Sequence, residues 1–271
     1  MEPPMLEILS YTFMQNAVMA GVVVSILCGI VGTLIVVNRM VFIAGGIAHG
    51  AYGGIGIAFF LGTSPLLGAG IFAFILGLII AAITLKHKER IDAVIGALWA
   101  FGMAVGIVFL DVTQGYNVDL MSYLFGSILS VPRLDLWVMG GITLLVGGVV
   151  LFFYKELQAM SFDPEFAQLR GVPVRFLYYV LVVLVALCVV ATIRVVGLVL
   201  VIALLTIPPY IAENFCTRLG TMMLFSALIA TVFTLAGLWL SFAYDLTSGA
   251  SIILVASLSF FLTLGVKRLR A

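Results

Sequence analysis

The chain has 271 residues, of which 64% are apolar and 9% charged, against roughly 25% charged in an ordinary soluble domain. No soluble globule has an interior large enough to hide that apolar fraction. Thirteen Lys and Arg nearly balance twelve Asp and Glu, so there is no basic field to attract nucleic acid. At about 20 apolar residues per crossing the chain has material for eight to ten spans. The expectation is an all-α polytopic membrane protein, residues 1–271 forming one transmembrane domain, with no appended soluble domain. Glu2 and Glu7 stand where a signal peptide would carry a basic n-region, so none is expected.

Backbone groups in lipid must be paired within the protein, so each long apolar run reads as a helix. Nine spans are expected, at about 15–37, 44–62, 66–85, 91–110, 136–154, 176–193, 197–213, 221–242 and 248–266. Within the connection from Asp111 to Asp135, the apolar piece Leu120–Val131 is too short to cross and reads as a re-entrant or interfacial helix. If Arg39 and the Lys86–Arg90 turn face the cytoplasm, nine spans put the N-terminus outside and the C-terminus inside. Only Arg133 and Arg194 of the thirteen basic residues then lie outside, which satisfies the positive-inside rule.

In the second span, Gly46, Gly50 and Gly54 recur every four residues and form a smooth face, with Gly45, His49 and Gly53 as the adjacent stripe. Such a helix either presses closely on a neighbour or leaves space beside its single polar side chain. An ionisable group inside a span is costly and therefore a functional candidate. His49 has three readings: ligand for a soft or borderline divalent metal, proton relay, or donor to a carbonyl on a neighbouring helix. His87 lies in a charged, solvated turn. Cys28, Cys188 and Cys216 each stand alone in apolar sequence and read as core residues.

The segment from about 155 to 175 has a different character. Asp163 suits an N-cap, Pro164 the first helical position, Glu165 the positive helix end and Gly171 the C-terminal stop. A two-turn helix outside the membrane is expected, presenting Phe162, Phe166 and Leu169 either to the membrane surface or to a partner. Pro208-Pro209 is expected to break or kink the seventh span near its inner end. Asp245, at the outer end of the eighth span before Thr247-Ser248-Gly249, reads as a turn residue or as a rim carboxylate attracting cations. The H-E-x-x-H, G-x-S-x-G and G-x-x-x-x-G-K-[ST] signatures are absent. No enzymatic role and no cofactor held by this chain are expected, and any driving ATP must bind another chain.

Five of these stretches, in order, resemble the membrane permease subunit of ABC importers for zinc, manganese and iron. Asn38-Arg39-Met40 with His49 ten residues after Arg39 is similar to that family's basic turn and "GD-x-x-x-HA" segment. Asn117–Gly126 resembles "DLM-x-YLFG", and Phe162-Asp163-Pro164-Glu165 with Ala167 and Gly171-Val172 resembles the coupling helix. Val196-Gly197-Leu198 running to Ile207-Pro208, and Tyr244-Asp245 with Gly249, complete the series. The resemblance implies a homodimer with a central pathway, and two cytoplasmic ATPase subunits carrying Mg-ATP and docked on Phe162–Val172. It also implies an extracytoplasmic metal-binding protein, a divalent metal as cargo near His49, Gly45 and Asp245, and a place in a prokaryotic inner or plasma membrane.

The sequence departs from the family pattern at several positions. Gly45 replaces the Asp four residues before the histidine, Ser127 replaces the acidic residue after "YLFG", and proline is missing at Thr247 and Ala250. Loss of the carboxylate removes a hard oxygen ligand and a compensating charge, which leaves a metal chelate or a non-metal cargo as an alternative. An ion-coupled secondary transporter would need carboxylates deep in the spans, and an intramembrane enzyme would need a second catalytic group at the depth of His49.

Overall fold

The computed structural model describes residues 11–86, 91–113 and 126–270. Among these there are ten α-helices and no strand. They are α1 (Thr12–Val37), α2 (Val41–Phe60), α3 (Pro65–Lys86), α4 (Ile91–Val112), α5 (Arg133–Phe152), α6 (Tyr154–Phe162), α7 (Pro164–Leu169), α8 (Val174–Glu213), α9 (Leu219–Ala243) and α10 (Ser248–Arg270). Among the described residues nine stretches are long and apolar enough to cross a bilayer, because α8 supplies two of them, Val174–Ile193 and Val195–Glu213. The all-α polytopic reading holds, and the nine spans fall where hydropathy placed them.

Two expectations change. The seventh span is not broken at Pro208-Pro209: α8 runs on to Glu213, and its one residue with non-helical backbone angles is Gly197 (φ 77, ψ 163). Those angles are open to glycine alone. Proline inside a helix leaves the carbonyl four residues back without its donor, and for Pro209 that carbonyl belongs to Leu205. Gly32 of α1 lies against it: a Cβ built on Gly32 would sit 2.6 Å from Leu205 O and 3.0 Å from Pro209 Cγ. A neighbouring helix backbone thus fills the place where the ladder is interrupted, as membrane helices permit. Second, half of the stretch Leu120–Val131, where a re-entrant or interfacial helix is expected, lies outside the described residues. Its described end is a left-handed Gly126 (φ 67) followed by a single 3-10 turn, Ile128–Ser130.

The chain divides into two compact units, one of Met1–Thr33, Met121–Leu145 and Ala191–Ala271, the other of Leu34–Leu120 and Val146–Val190. In the first, α1 meets α9 through small and hydroxylated residues. Gly29 faces the backbone of Ala227, Ser25 Oγ lies 3.3 Å from Thr234 Oγ1, and Thr33 Oγ1 lies 3.1 Å from Ser226 Oγ. Gly237 brings α9 onto Ile252 of α10, and Ile211, Phe233 and Ala256 bury together. Gly126 seats on the break in α8, where an added Cβ would collide with Val196 C and Gly197 N and approach Val195 O at 2.8 Å.

In the second unit α2 is enclosed between α3 and α4, and its glycines lie against both neighbours. Gly46 faces Ile95 of α4, Gly50 faces Leu76 of α3, and Gly54 faces the backbone of Gly68 of α3. The adjacent stripe adds Gly53 on Gly102 O at 2.7 Å, and Gly56 lies on the backbone of Gly106. Without glycine at these positions the helices would not approach so closely.

Candidate functional site

His49 lies midway along α2, and Gly45 one turn before it is buried. The imidazole is half-buried, and its Nδ1 is buried with no hydrogen-bond partner among the described residues. A bond from the imidazole to a carbonyl of a neighbouring helix is thus not made through Nδ1. The ring instead meets Trp99 of α4 edge to face, with centroids 3.9 Å apart and planes at 66°. Trp99 in turn donates Nε1–H to Met103 Sδ at 3.0 Å and lies 6.2 Å from the ring of Phe42. An orphaned buried nitrogen costs about 1–3 kcal/mol, so the histidine is held in its place by ring contact and the surrounding glycine packing.

Among the described residues no three His, Cys, Asp or Glu side chains gather to hold an ion. A cation at His49 would find one imidazole nitrogen and no carboxylate at position 45, where a backbone carbonyl or water must serve. Trp99 and Met103 escaped the sequence reading. They lie in an apolar helix without a polar marker, and the one available signal was a tryptophan mid-span, away from the interfaces where tryptophan concentrates.

The segment outside the spans folds as its residues dictate. Asp163 takes an extended backbone (φ −149) and its Oδ1 accepts the Phe166 N–H at 2.9 Å, capping α7, with Pro164 at the first position and Glu165 in the first turn. At the other end Gly171 is left-handed (φ 84). Its N–H reaches Gln168 O and that of Val172 reaches Ala167 O, both at 3.0 Å. Together these bonds satisfy the last carbonyls of the helix. Below, Leu157, Met160 and Ala167 are buried; above, Phe162, Phe166 and Leu169 are 65%, 54% and 86% exposed. The Arg170 guanidinium sits 5.1 Å from the Phe166 ring centroid, within the range of a cation–π contact. Asn38, at the end of α1, ties this elbow down: its Nδ2 donates to Leu34 O and to Ser161 Oγ, each at 2.8 Å.

Asp245 is the left-handed residue (φ 52) closing α9, with the Leu246 N–H on Ser241 O at 3.0 Å. Aspartate tolerates this conformation better than most residues. The turn reading thus has a full structural cause, and the carboxylate is exposed. A bundle of long apolar helices with a short capped helix outside the spans is the build of a polytopic membrane protein.

Comparison with known proteins agrees. The profile of the ABC 3 transport family matches residues 10–267, and the chain belongs to that family. It is 47% identical over 264 residues to an uncharacterized membrane protein of Synechocystis sp., covering 97% of this chain and 94% of the relative. It is 38% identical over 256 residues to the manganese transport system membrane protein MntC of Halalkalibacterium halodurans, covering 94% and 88%. Among solved structures, PsaBC from Streptococcus pneumoniae in complex with Fab superposes with a TM-score of 0.86 at 30% identity, covering 95% of this chain and 93% of that one.

Proposed function

We propose that this chain is the permease subunit of an ATP-driven importer of a divalent transition metal, with manganese first and zinc or iron next. Two copies form the pathway, which opens alternately to either side of a prokaryotic plasma membrane. The observation that carries the reading is His49, a lone imidazole with an unbonded buried nitrogen inside a glycine-packed span, in a chain similar over most of its length to a manganese transport protein. Phe162–Val172 is the docking element for two cytoplasmic ATPase subunits that bind Mg-ATP, and its exposed Phe162, Phe166 and Leu169 supply the apolar contact. A binding protein delivers the ion from outside. The N-terminus faces outward and the C-terminus the cytoplasm.

The imidazole serves as a passing ligand. With Gly45 in place of a carboxylate, less charge compensates a divalent ion, so the ion is held weakly and released quickly, which suits a conduit. The same substitution supports a second reading, import of a metal chelate whose own ligands neutralise the ion. Elemental analysis of uptake-deficient cells carrying the complete transporter, supplied with either the free metal salt or a preformed chelate of it, separates the two. Native cells are expected to accumulate manganese, zinc or iron and His49→Ala cells are not. ATP hydrolysis without accumulation of any free metal would refute the first reading.

A further inference from the structure

The seam between α2 and α4 is glycine on glycine backbone, with Gly50 against Gly102 and Gly56 against Gly106. At one level of that seam two large rings meet instead, His49 of α2 and Trp99 of α4, with centroids 3.9 Å apart. Two of the pair's three polar side-chain atoms are poorly served. His49 Nδ1 is buried without a partner, and the Trp99 N–H is given to the thioether of Met103 at 3.0 Å, one of the weakest acceptors a side chain offers. Such an arrangement keeps its place through ring contact while leaving its hydrogen-bonding capacity largely unused.

We propose that Trp99 is a latched lid on His49, and that Met103 sets the strength of the latch and so helps determine which ions pass. This rests on the pathway reading of His49. With the indole down, Nδ1 is closed to any ion; with it swung away, the nitrogen is offered. A ligand shifts such an equilibrium only by its difference in affinity for the two states, so each cation opens the lid to the extent that imidazole suits it. Zinc and iron gain most, manganese less, and calcium and magnesium, which seek oxygen ligands, least. The lid therefore supplies discrimination at a site that carries no carboxylate at position 45.

The test uses the assembled transporter. Met103→Gln gives the indole N–H an oxygen acceptor on a side chain of similar length and is expected to raise the KM for manganese about five-fold, the factor of one ordinary hydrogen bond, at unchanged kcat. Trp99→Phe keeps a ring without the N–H and is expected to lower KM by a similar factor while weakening rejection of magnesium. The emission difference between native and Trp99→Phe complexes isolates Trp99. It is expected to change saturably with MnCl2, and not in His49→Ala. If His49→Ala stops uptake while both lid variants stay within about two-fold of the native KM, less than one hydrogen bond supplies, the lid is refuted and the pathway stands. Emission indifferent to MnCl2 in the native complex also overturns the lid. Uptake unaffected by His49→Ala removes the pathway and the lid together. If Trp99→Phe fails to assemble, Met103→Gln and the native emission titration decide alone.

Discussion

A graded set of single methyl additions tests whether α2 is held by backbone contact. Gly54→Ala would drive a Cβ into the carbonyl of Gly68, with Phe72 Cβ at 2.6 Å. Carbon–carbon contacts relax near 3.5–4.0 Å, so α2 and α3 would have to part by about 1 Å. No side chain alone can rotate away, which places the cost at the upper end of the ~1–3 kcal/mol of overpacking. Gly50→Ala meets Leu76 Cδ2, the far end of a flexible side chain, and falls at the lower end of the same range, about 1 kcal/mol. Gly96→Ala, on α4, has nothing within 4 Å, and alanine's better helix propensity makes it neutral or stabilising by up to about 1 kcal/mol. At about 2–4 °C per kcal/mol for a chain near this size, thermal unfolding of the purified protein should show Gly54→Ala lower by about 6–12 °C, Gly50→Ala by about 2–4 °C, and Gly96→Ala unchanged or raised. Equal shifts for all three, or the largest loss at Gly96, would refute the reasoning.

The capped helix α7 offers a second measurement. Asp163→Ala removes the bond to Phe166 N and should cost about 1 kcal/mol locally. Gly171→Val imposes a β-branched side chain on a left-handed residue and should uncouple ATP hydrolysis from transport, read as the ratio of the two rates; an unchanged ratio would exclude docking at this segment. For topology, impermeant thiol reagents applied from outside should label single cysteines placed between Asp111 and Asp135 but not one at Lys88, and the reverse pattern would invert the orientation.

The helical spans were legible because hydropathy over about twenty residues leaves little choice in lipid. α7 was legible because Asp163, Pro164 and Gly171 each act on their own backbone, and φ and the capping bond follow from residue type. The stripe of Gly46, Gly50 and Gly54 could be read as a face, but whether it met a neighbour or a gap depends on α3 and α4, which no local pattern encodes. At Pro208-Pro209 the local rule allows a break or a kink, and the helix is not broken there but runs on to Glu213. The rule that proline breaks a helix counts the lost bond and not Gly32, which fills the place beside Leu205 O from another helix. Trp99 was missed because a tryptophan in an apolar helix carries no mark of the ring it will touch. His49 was found because an ionisable side chain in a span stands out by type alone.

The break at Gly197 leaves its two spans without a loop between them, and two contacts on the second span are keyed to its register. Gly126 seats on Val195, Val196 and Gly197, and Gly32 on Leu205 and Pro209. One inserted residue between them would throw the two seats out of phase by about 100° and 1.5 Å, whereas an insertion in a surface loop merely lengthens it. This stretch of the chain therefore behaves as a ruler: its length is fixed by what it touches at both ends, so an inserted tag or a nick would unseat one of them.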